Sequence, residues 1–254
     1  MTGLLLAETK KLFSTKLWWA LGIPVVVFSG LGALPLVLTP APVTSTSPLL
    51  HGAGDASLFV VAFAAMLFTS EFRYGTIIST VLAAPRRFDI VVSKALIGAV
   101  AGLLYGSIAT IVTFVTGIIA LTLNGKAVPG AHNVFLIVGG GLLASALLGA
   151  FAACIGGAVR NQIAALVALF VVLFVLSGLV TGLSVGPNMS RVPRFLPTNL
   201  VTSLSGGVPH IKVPPGVHVF VPLYFSFWPA LGIFIVYVAL SGLLAWWSLQ
   251  RDIR

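Results

Sequence analysis

Apolar runs alternate with short polar segments along the whole chain. Several of the runs reach about 20 residues, the length that lets an α-helix cross a hydrocarbon core about 30 Å thick. We therefore predict an all-α membrane protein with a single transmembrane domain over residues 1–254. Its six predicted transmembrane helices are residues 17–38, 55–70, 95–123, 134–159, 163–183 and 225–247.

Two further segments are predicted to lie on the membrane surface, residues 2–14 and residues 184–222. Residues 2–14, TGLLLAETKKLFS, predict an amphipathic helix, and the apolar run that follows is too long for the core of a signal peptide. Its predicted apolar face is Leu5, Leu6, Thr9, Leu12 and Phe13, with Glu8, Lys10 and Lys11 mainly off it.

Residues 184–222 hold seven prolines between apolar residues. This segment is too polar to span a membrane and too apolar for a solvated linker. We expect short outer helices before the sixth span, covered by protein or water.

The composition narrows the classes of function that this chain can have. Charged residues make up 7% of the chain, against about 25% in soluble domains, and none lies near the middle of a predicted span. Proton- and ion-coupled transporters usually keep such residues, so we expect the energy source outside this chain. The net charge of +9 is interpreted as basic flanks facing anionic lipid, not as a nucleic-acid surface. The single cysteine, Cys154, rules out an intramolecular disulfide and is expected to be packing.

Basic residues set the predicted orientation. With the N-terminus inside, the inner segments hold ten Lys and Arg residues and the outer segments hold four. This excess predicts that both termini are cytoplasmic. The membrane itself is expected to be a prokaryotic plasma (inner) membrane.

The most charged stretch runs from Glu71 to Lys94, between the second and third predicted spans. Gly75 permits a sharp turn after the second span, and Pro85 ends a short helix. The predicted apolar stripe of that helix is Ile77, Ile78, Val81 and Leu82, with Ser79 and Thr80 off it.

Glu71 needs a cation, because the carboxyl end of a helix disfavours a negative charge. Arg73 is two residues away and would not face Glu71 on a continuous helix. We expect Arg87 or Lys94 to be its partner, and Asp89 to complement the start of the third span.

The fourth span is dense in small residues. Gly141, Ser145 and Gly149 recur at a spacing of four, as do Ala152 and Gly156. This pattern allows helix backbones to approach closely in a membrane. Residues 160–162 then leave room for no more than a minimal turn.

The charged stretch resembles the membrane permeases of type-2 ABC exporters. Their pattern is close to E-x-R-x-G-T, a short helix, P-x-R and a later Lys. The residues that match it here are Glu71, Arg73, Gly75, Thr76, Pro85, Arg87 and Lys94. The segments AETKKLFSTKLWW, FLPTNLVTSL and RDIR also resemble parts of that family's layout.

The resemblance implies that residues 74–84 form a cytoplasmic coupling helix, seated in a groove of a separate ATPase. The implied contact residues are Tyr74, Gly75, Thr76, Ile77, Ile78, Val81, Leu82 and Pro85. The implied anchors are Glu71, Arg73, Arg87 and Lys94. The implied partners are two ATPase subunits, which bind ATP and Mg²⁺, and a second copy of this chain or a sister permease.

This chain itself is predicted to be non-catalytic, with no cofactor, no metal and no nucleic-acid partner. The sequence has no phosphate-binding loop, since Lys126 of its single Gly-Lys pair is followed by Ala127. The aromatic and aliphatic side chains of the predicted spans favour an amphiphilic or apolar cargo such as a drug, a lipid or an antimicrobial peptide. The aromatic residues on which this rests are Phe114, Phe170, Phe174, Phe234 and Tyr237.

Two alternatives belong to other classes. One is a channel or scaffold that works without an ATPase. The other is a membrane hydrolase using Ser184, which lies in a G-x-S-x-G match at 182–186 but lacks the expected strand–turn–helix context. The histidines fall in predicted outer loops and are interpreted as surface residues, not as metal ligands: His51, His132, His210 and His218.

Overall fold

The computed structural model describes residues 2–14, 16–32, 54, 56–83, 86–126, 134–183, 192–206 and 224–251. All regular secondary structure in those residues is helical, as the sequence predicts. Pro85, Ser184 and the four histidines lie outside the described residues, as do most of the loop at 39–54 and much of the outer segment at 184–222.

The helices follow one another with short connections. In chain order they are α1 (Thr2–Ser14), α2 (Leu17–Leu31), α3 (Ser57–Arg73), α4 (Ile77–Ala83), α5 (Arg87–Leu123), α6 (Val134–Val159), α7 (Gln162–Phe170), α8 (Ser177–Leu183), α9 (Pro197–Leu204) and α10 (Phe227–Gln250). A π-helical segment, Val171–Leu176, joins α7 to α8, and a 3₁₀ turn, Pro193–Phe195, precedes α9.

Four helical segments in the described part of the chain are long and apolar enough to cross a membrane: Arg87–Leu123, Val134–Val159, Gln162–Val180 and Phe227–Gln250. They support the prediction of a membrane protein. Helices α2 and α3 have 15 and 17 residues, or about 22 and 25 Å of helix. These lengths fall short of a hydrocarbon core about 30 Å thick. Within the described residues, four of the six predicted spans therefore meet the length criterion.

Helix α5 begins earlier than the predicted third span. It starts at Arg87 instead of residue 95 and continues for 37 residues, which is about 55 Å. Arg86 is extended and ends the preceding connection, while Asp89 in the first turn complements the positive end of the helix dipole. The first two turns of α5 therefore carry Arg87 and Lys94 on a rigid helix, where the sequence predicted a connecting segment.

Helix α6 lies at the centre of the bundle and packs against α3, α5 and α10. A Cβ atom placed on Gly98 of α5 would lie 2.6 Å from the carbonyl oxygen of Gly149. One placed on Gly156 would lie 2.7 Å from the carbonyl oxygen of Ala65 in α3. The backbones are thus in direct contact, and the close approach predicted from the small residues of α6 is confirmed.

One end of the bundle gathers the ends of four long helices, and we call it the basic end. It contains the end of α3, the start of α5, the α6–α7 turn and the end of α10. Arg73 Nη1 donates to Gln162 Oε1 at 3.2 Å, and Arg160 Nε donates to Ser248 Oγ at 2.8 Å. The minimal turn at 160–162 is confirmed, with the Asn161 side chain accepting hydrogen bonds from the first turn of α7.

Short helical elements lie towards the opposite end. Helix α9 packs against α10 and the first half of α6, and the 3₁₀ turn packs against α8 and α9. Tyr237 Oη donates to the carbonyl oxygen of Phe195 at 2.9 Å. A Cβ atom placed on Gly140 would overlap the carbonyl oxygen of Leu204. Three residues of α9 belong to the core that surrounds α6: Leu200, Val201 and Leu204.

Candidate functional site: a buried charge cluster and an exposed short helix

A cluster of two carboxylates and two ammonium groups joins α1, α3 and α5. Lys94 Nζ lies 2.7 Å from Glu71 Oε1 and 2.7 Å from Glu8 Oε2. Lys11 Nζ lies 2.8 Å from Glu71 Oε1 and 3.2 Å from Glu8 Oε1. These four residues form what we call the charge cluster, and their formal charges cancel.

Three of the four side chains in the charge cluster are buried from solvent. The exposed fractions of the side chains are 1% for Lys94, 3% for Glu8 and 4% for Glu71, while Lys11 is half exposed. Lys94 Nζ also donates to the carbonyl oxygen of Leu67 at 3.3 Å. Buried charges of this kind persist when they are paired and hydrogen-bonded, and here the pairing ties three helices together.

The cluster shifts the acid–base behaviour of its members. Burial alone would raise the pKa of Glu71, which lies just beyond the predicted span 55–70, but the charge of Lys94 and hydrogen bonds from Lys11 and Lys94 lower it. Burial alone would lower the pKa of Lys11, but its hydrogen bond to Glu71 and the charges of Glu71 and Glu8 raise it.

The direction of these shifts fixes when the cluster contributes stability. The contribution of Glu71 is present above its unfolded pKa of about 4.3 and is lost as the pH falls through the lowered folded value. The contribution of Lys11 is present below its unfolded pKa of about 10.4 and is lost as the pH rises through the raised folded value. Both contributions are therefore present at neutral pH.

The other two predicted anchors contact different groups. Arg87 Nη1 donates to the carbonyl oxygen of Leu249 at 3.2 Å and also approaches that of Gln250. A guanidinium there satisfies carbonyl groups at the negative end of α10. Arg73 lies over the ring of Tyr74 at 5.6 Å, besides its bond to α7. Of the two partners expected for Glu71, Lys94 is the one in contact.

Sequence reasoning missed Glu8 and Lys11 as members of the cluster. Glu8 was predicted to lie mainly off the apolar face of α1, and no partner was predicted for it. In the structure its side chain is buried and paired with Lys94. A signal was available: the chain has five acidic residues, so an acidic residue in a surface helix was already unusual. What the sequence cannot supply is the position of α1 against α3 and α5.

Helix α4 presents two faces. Gly75 has a φ of +70° in the turn before it, as predicted for a sharp change of direction. Ile77 and Val81 pack against the core that contains Phe68 and Ile90. Thr80, which was predicted to lie off the apolar stripe, is also buried.

The outer face of α4 is apolar and exposed. Ile78 and Leu82 of α4 have exposed fractions of 67% and 83%, and Tyr74 in the turn before α4 has one of 71%. We call these three residues the exposed α4 surface. The four residues of the predicted stripe therefore divide into an inward pair, Ile77 and Val81, and an outward pair. The reason is the spacing: positions 77, 80 and 81 share one side of a helix, and 78 and 82 share another.

Clusters of metal-ligating side chains are absent from the part of the chain that the structure describes. Cys154 is buried in a core cluster with Phe68 and Ala245, in the packing role predicted for it. A scan against models of known protein families and a search of curated proteins found no match to this chain.

Proposed function

We propose that this chain is the transmembrane subunit of an ATP-binding-cassette exporter, driven by a separate ATPase that binds ATP and Mg²⁺. The observation that carries the proposal is the exposed α4 surface at the basic end, held on a short helix between α3 and α5. Exposed apolar side chains grouped beside an arginine suit the groove of a protein partner.

The position of α4 suits the transfer of force. It follows α3 after the turn Tyr74–Thr76 and precedes α5 by three residues. Its inward residues Ile77 and Val81 pack on both neighbours. The charge cluster then clamps the same ends of α3 and α5 to each other and to α1, so a push on α4 reaches three helices.

In the proposed mechanism, ATP binding closes two ATPase subunits and draws two copies of α4 together. The long helices then rearrange where this chain meets a second copy or a sister permease, and cargo is expelled outwards. The basic end faces the cytoplasm of a prokaryotic cell, in keeping with the excess of Lys and Arg there.

The cargo is proposed to be amphiphilic or apolar. Phe114 and Phe170 expose part of their rings, and Phe170 stacks on Phe174 with 5.6 Å between ring centroids. Phe234 is fully buried in the core around α6, so we assign it to packing and remove it from the proposed pathway.

Loss of the exposed α4 surface is expected to release the ATPase. We expect Ile78→Asp with Leu82→Asp to remove most of the ATP-binding-cassette ATPase that co-purifies with the tagged chain from native membranes. The reason is that carboxylates cannot enter an apolar groove without large desolvation costs. Quantitative mass spectrometry of the purified complex measures the ratio of ATPase to permease. The unfolding temperature should stay near that of the parent, because neither side chain packs in the core.

The matched control is Leu123→Asp. Leu123 has an exposed fraction of 81%, close to that of Leu82, and it ends α5 away from the basic end. This variant should keep its ATPase. If both variants retain the ATPase equally, or if no such ATPase accompanies the parent chain, the channel or scaffold alternative is favoured. Labelling of Ser184 by a serine-reactive probe would instead favour the hydrolase.

A further inference from the structure

A cationic cavity lies at the basic end, between the first turn of α5 and the last turns of α10. Its volume is about 640 Å³, within the range of about 300–1,000 Å³ typical of ligand pockets. Arg86, Arg87 and Arg251 line it together with Trp246 and Trp247. The described residues that line it include no acidic side chain.

Two of the three guanidinium groups are held in place. Arg87 is fixed by the carbonyl groups at the end of α10, the nearer at 3.2 Å. Arg251 lies over the ring of Trp247, 3.4 Å from its centroid, and this cation–π contact orients it. Guanidinium groups fixed in this way present planar sets of N–H donors that match phosphate oxygens.

An apolar groove continues from the same two tryptophans. It has a volume of about 450 Å³ and follows α10 past Leu240, Leu243 and Leu244. All three leucines are exposed, and they lie on one of the helices long and apolar enough to cross a membrane. The cationic cavity and the apolar groove thus meet at Trp246 and Trp247, residues of the type that marks the level of lipid headgroups.

We propose that this continuous surface binds an anionic glycerophospholipid. Arg86, Arg87 and Arg251 hold the phosphate, the two tryptophans lie at the glycerol level, and one acyl chain follows the leucines of α10. A soluble phosphate compound would use the arginines but not the groove, so the groove favours a lipid. The site is separate from the exposed α4 surface, and it stands or falls independently of the proposed ATPase.

The test is lipid binding to the purified protein by native mass spectrometry. Dioleoylphosphatidylglycerol should bind in preference to dioleoylphosphatidylcholine. Arg86→Gln with Arg251→Gln should weaken phosphatidylglycerol binding by about fivefold for each arginine. It should weaken phosphatidylcholine binding less, because the choline cation offsets the charge of the phosphate. Arg87 is kept in this variant, because it also holds the end of α10. Arg86→Lys with Arg251→Lys should retain most of the preference, since the charge remains.

A charge-matched control is Lys10→Gln with Lys16→Gln, two exposed lysines on and just after α1. It loses the same charge away from the cavity and should bind phosphatidylglycerol like the parent. Equal weakening in both glutamine variants would show a general effect of net charge and overturn the proposal. Unchanged binding in the arginine variant would also overturn it, as would binding of soluble glycerol 3-phosphate as tight as that of the lipid.

Discussion

Replacing Lys94 with methionine is expected to lower the free energy of unfolding by about 3–5 kcal/mol, the usual cost of removing one partner from a buried ion pair. Glu8 and Glu71 would remain buried with Lys11 as their remaining cation in the charge cluster. Unfolding of the detergent-solubilised protein by increasing amounts of SDS, followed by circular dichroism, measures the change.

Lys10→Met is the matched control for this substitution. Lys10 lies on α1 beside the cluster but is exposed, and its loss should change the free energy of unfolding by no more than about 0.5 kcal/mol. A Glu8→Gln, Glu71→Gln background supplies the second test. Lys94→Met should cost much less there, because no buried carboxylate is left without its cation. An equal cost in both backgrounds would contradict the proposed coupling.

The second large effect is expected where α5 and α6 touch. Gly102→Ala would place a methyl group onto the carbonyl oxygen of Ser145, and Gly149→Ala would do the same against Gly98. Overpacking of this kind costs about 1–3 kcal/mol. It should be at the upper end here, because the obstacle is backbone and cannot rotate away. The same SDS titration measures it.

Gly139→Ala is the control for this pair. Gly139 lies on α6, and apart from its own stretch of helix none of the described residues comes within 4 Å of the added methyl group. Alanine there should leave stability unchanged or raise it by about 0.5–1 kcal/mol, through its better helix propensity. If Gly139→Ala and Gly149→Ala change the free energy of unfolding equally, close packing at Gly149 does not explain the effect.

The charge cluster connects these stability effects to the proposed function. A buried cluster with cancelling charges resists separation of α1, α3 and α5 at neutral pH, and it lies at the end of the bundle that carries the exposed α4 surface. A partner bound at that surface would therefore act on a rigid unit of three helices. The contact of Arg87 with the end of α10 extends the unit to a fourth helix. The contact of Arg160 with Ser248 connects α10 to the end of α6.

Local patterns predicted much of this arrangement. The apolar runs predicted helices throughout, and the spacing of small residues on α6 predicted its close contacts. Gly75 predicted the turn before α4. These features depend on neighbours within a few turns of the chain, and such short-range periodicities are legible without any knowledge of packing.

Features that depend on distant segments were predicted less well. The assignment of Glu71 to either Arg87 or Lys94 could not be resolved, because both arginine and lysine satisfy the same electrostatic need. The burial of Glu8 and Thr80 was missed. A polar side chain that its own helix would leave exposed can still be buried by contacts with another helix. The extra turns at the start of α5 were missed because their polar residues, next to an apolar run, are also typical of a loop at the edge of a membrane.

The sequence by itself determined that this is an all-helical chain built for a membrane, with a charged stretch and a short helix between two apolar runs. The tertiary structure alone decided that Lys94 pairs with both Glu71 and Glu8, that half of the α4 stripe faces outwards, and that three arginines meet beside Trp247. The physical reason is that periodicity fixes which side of a helix a residue occupies. The identity of its neighbour depends on contacts between distant segments, 86 residues apart for Lys94 and Glu8 and 162 apart for Arg87 and Leu249.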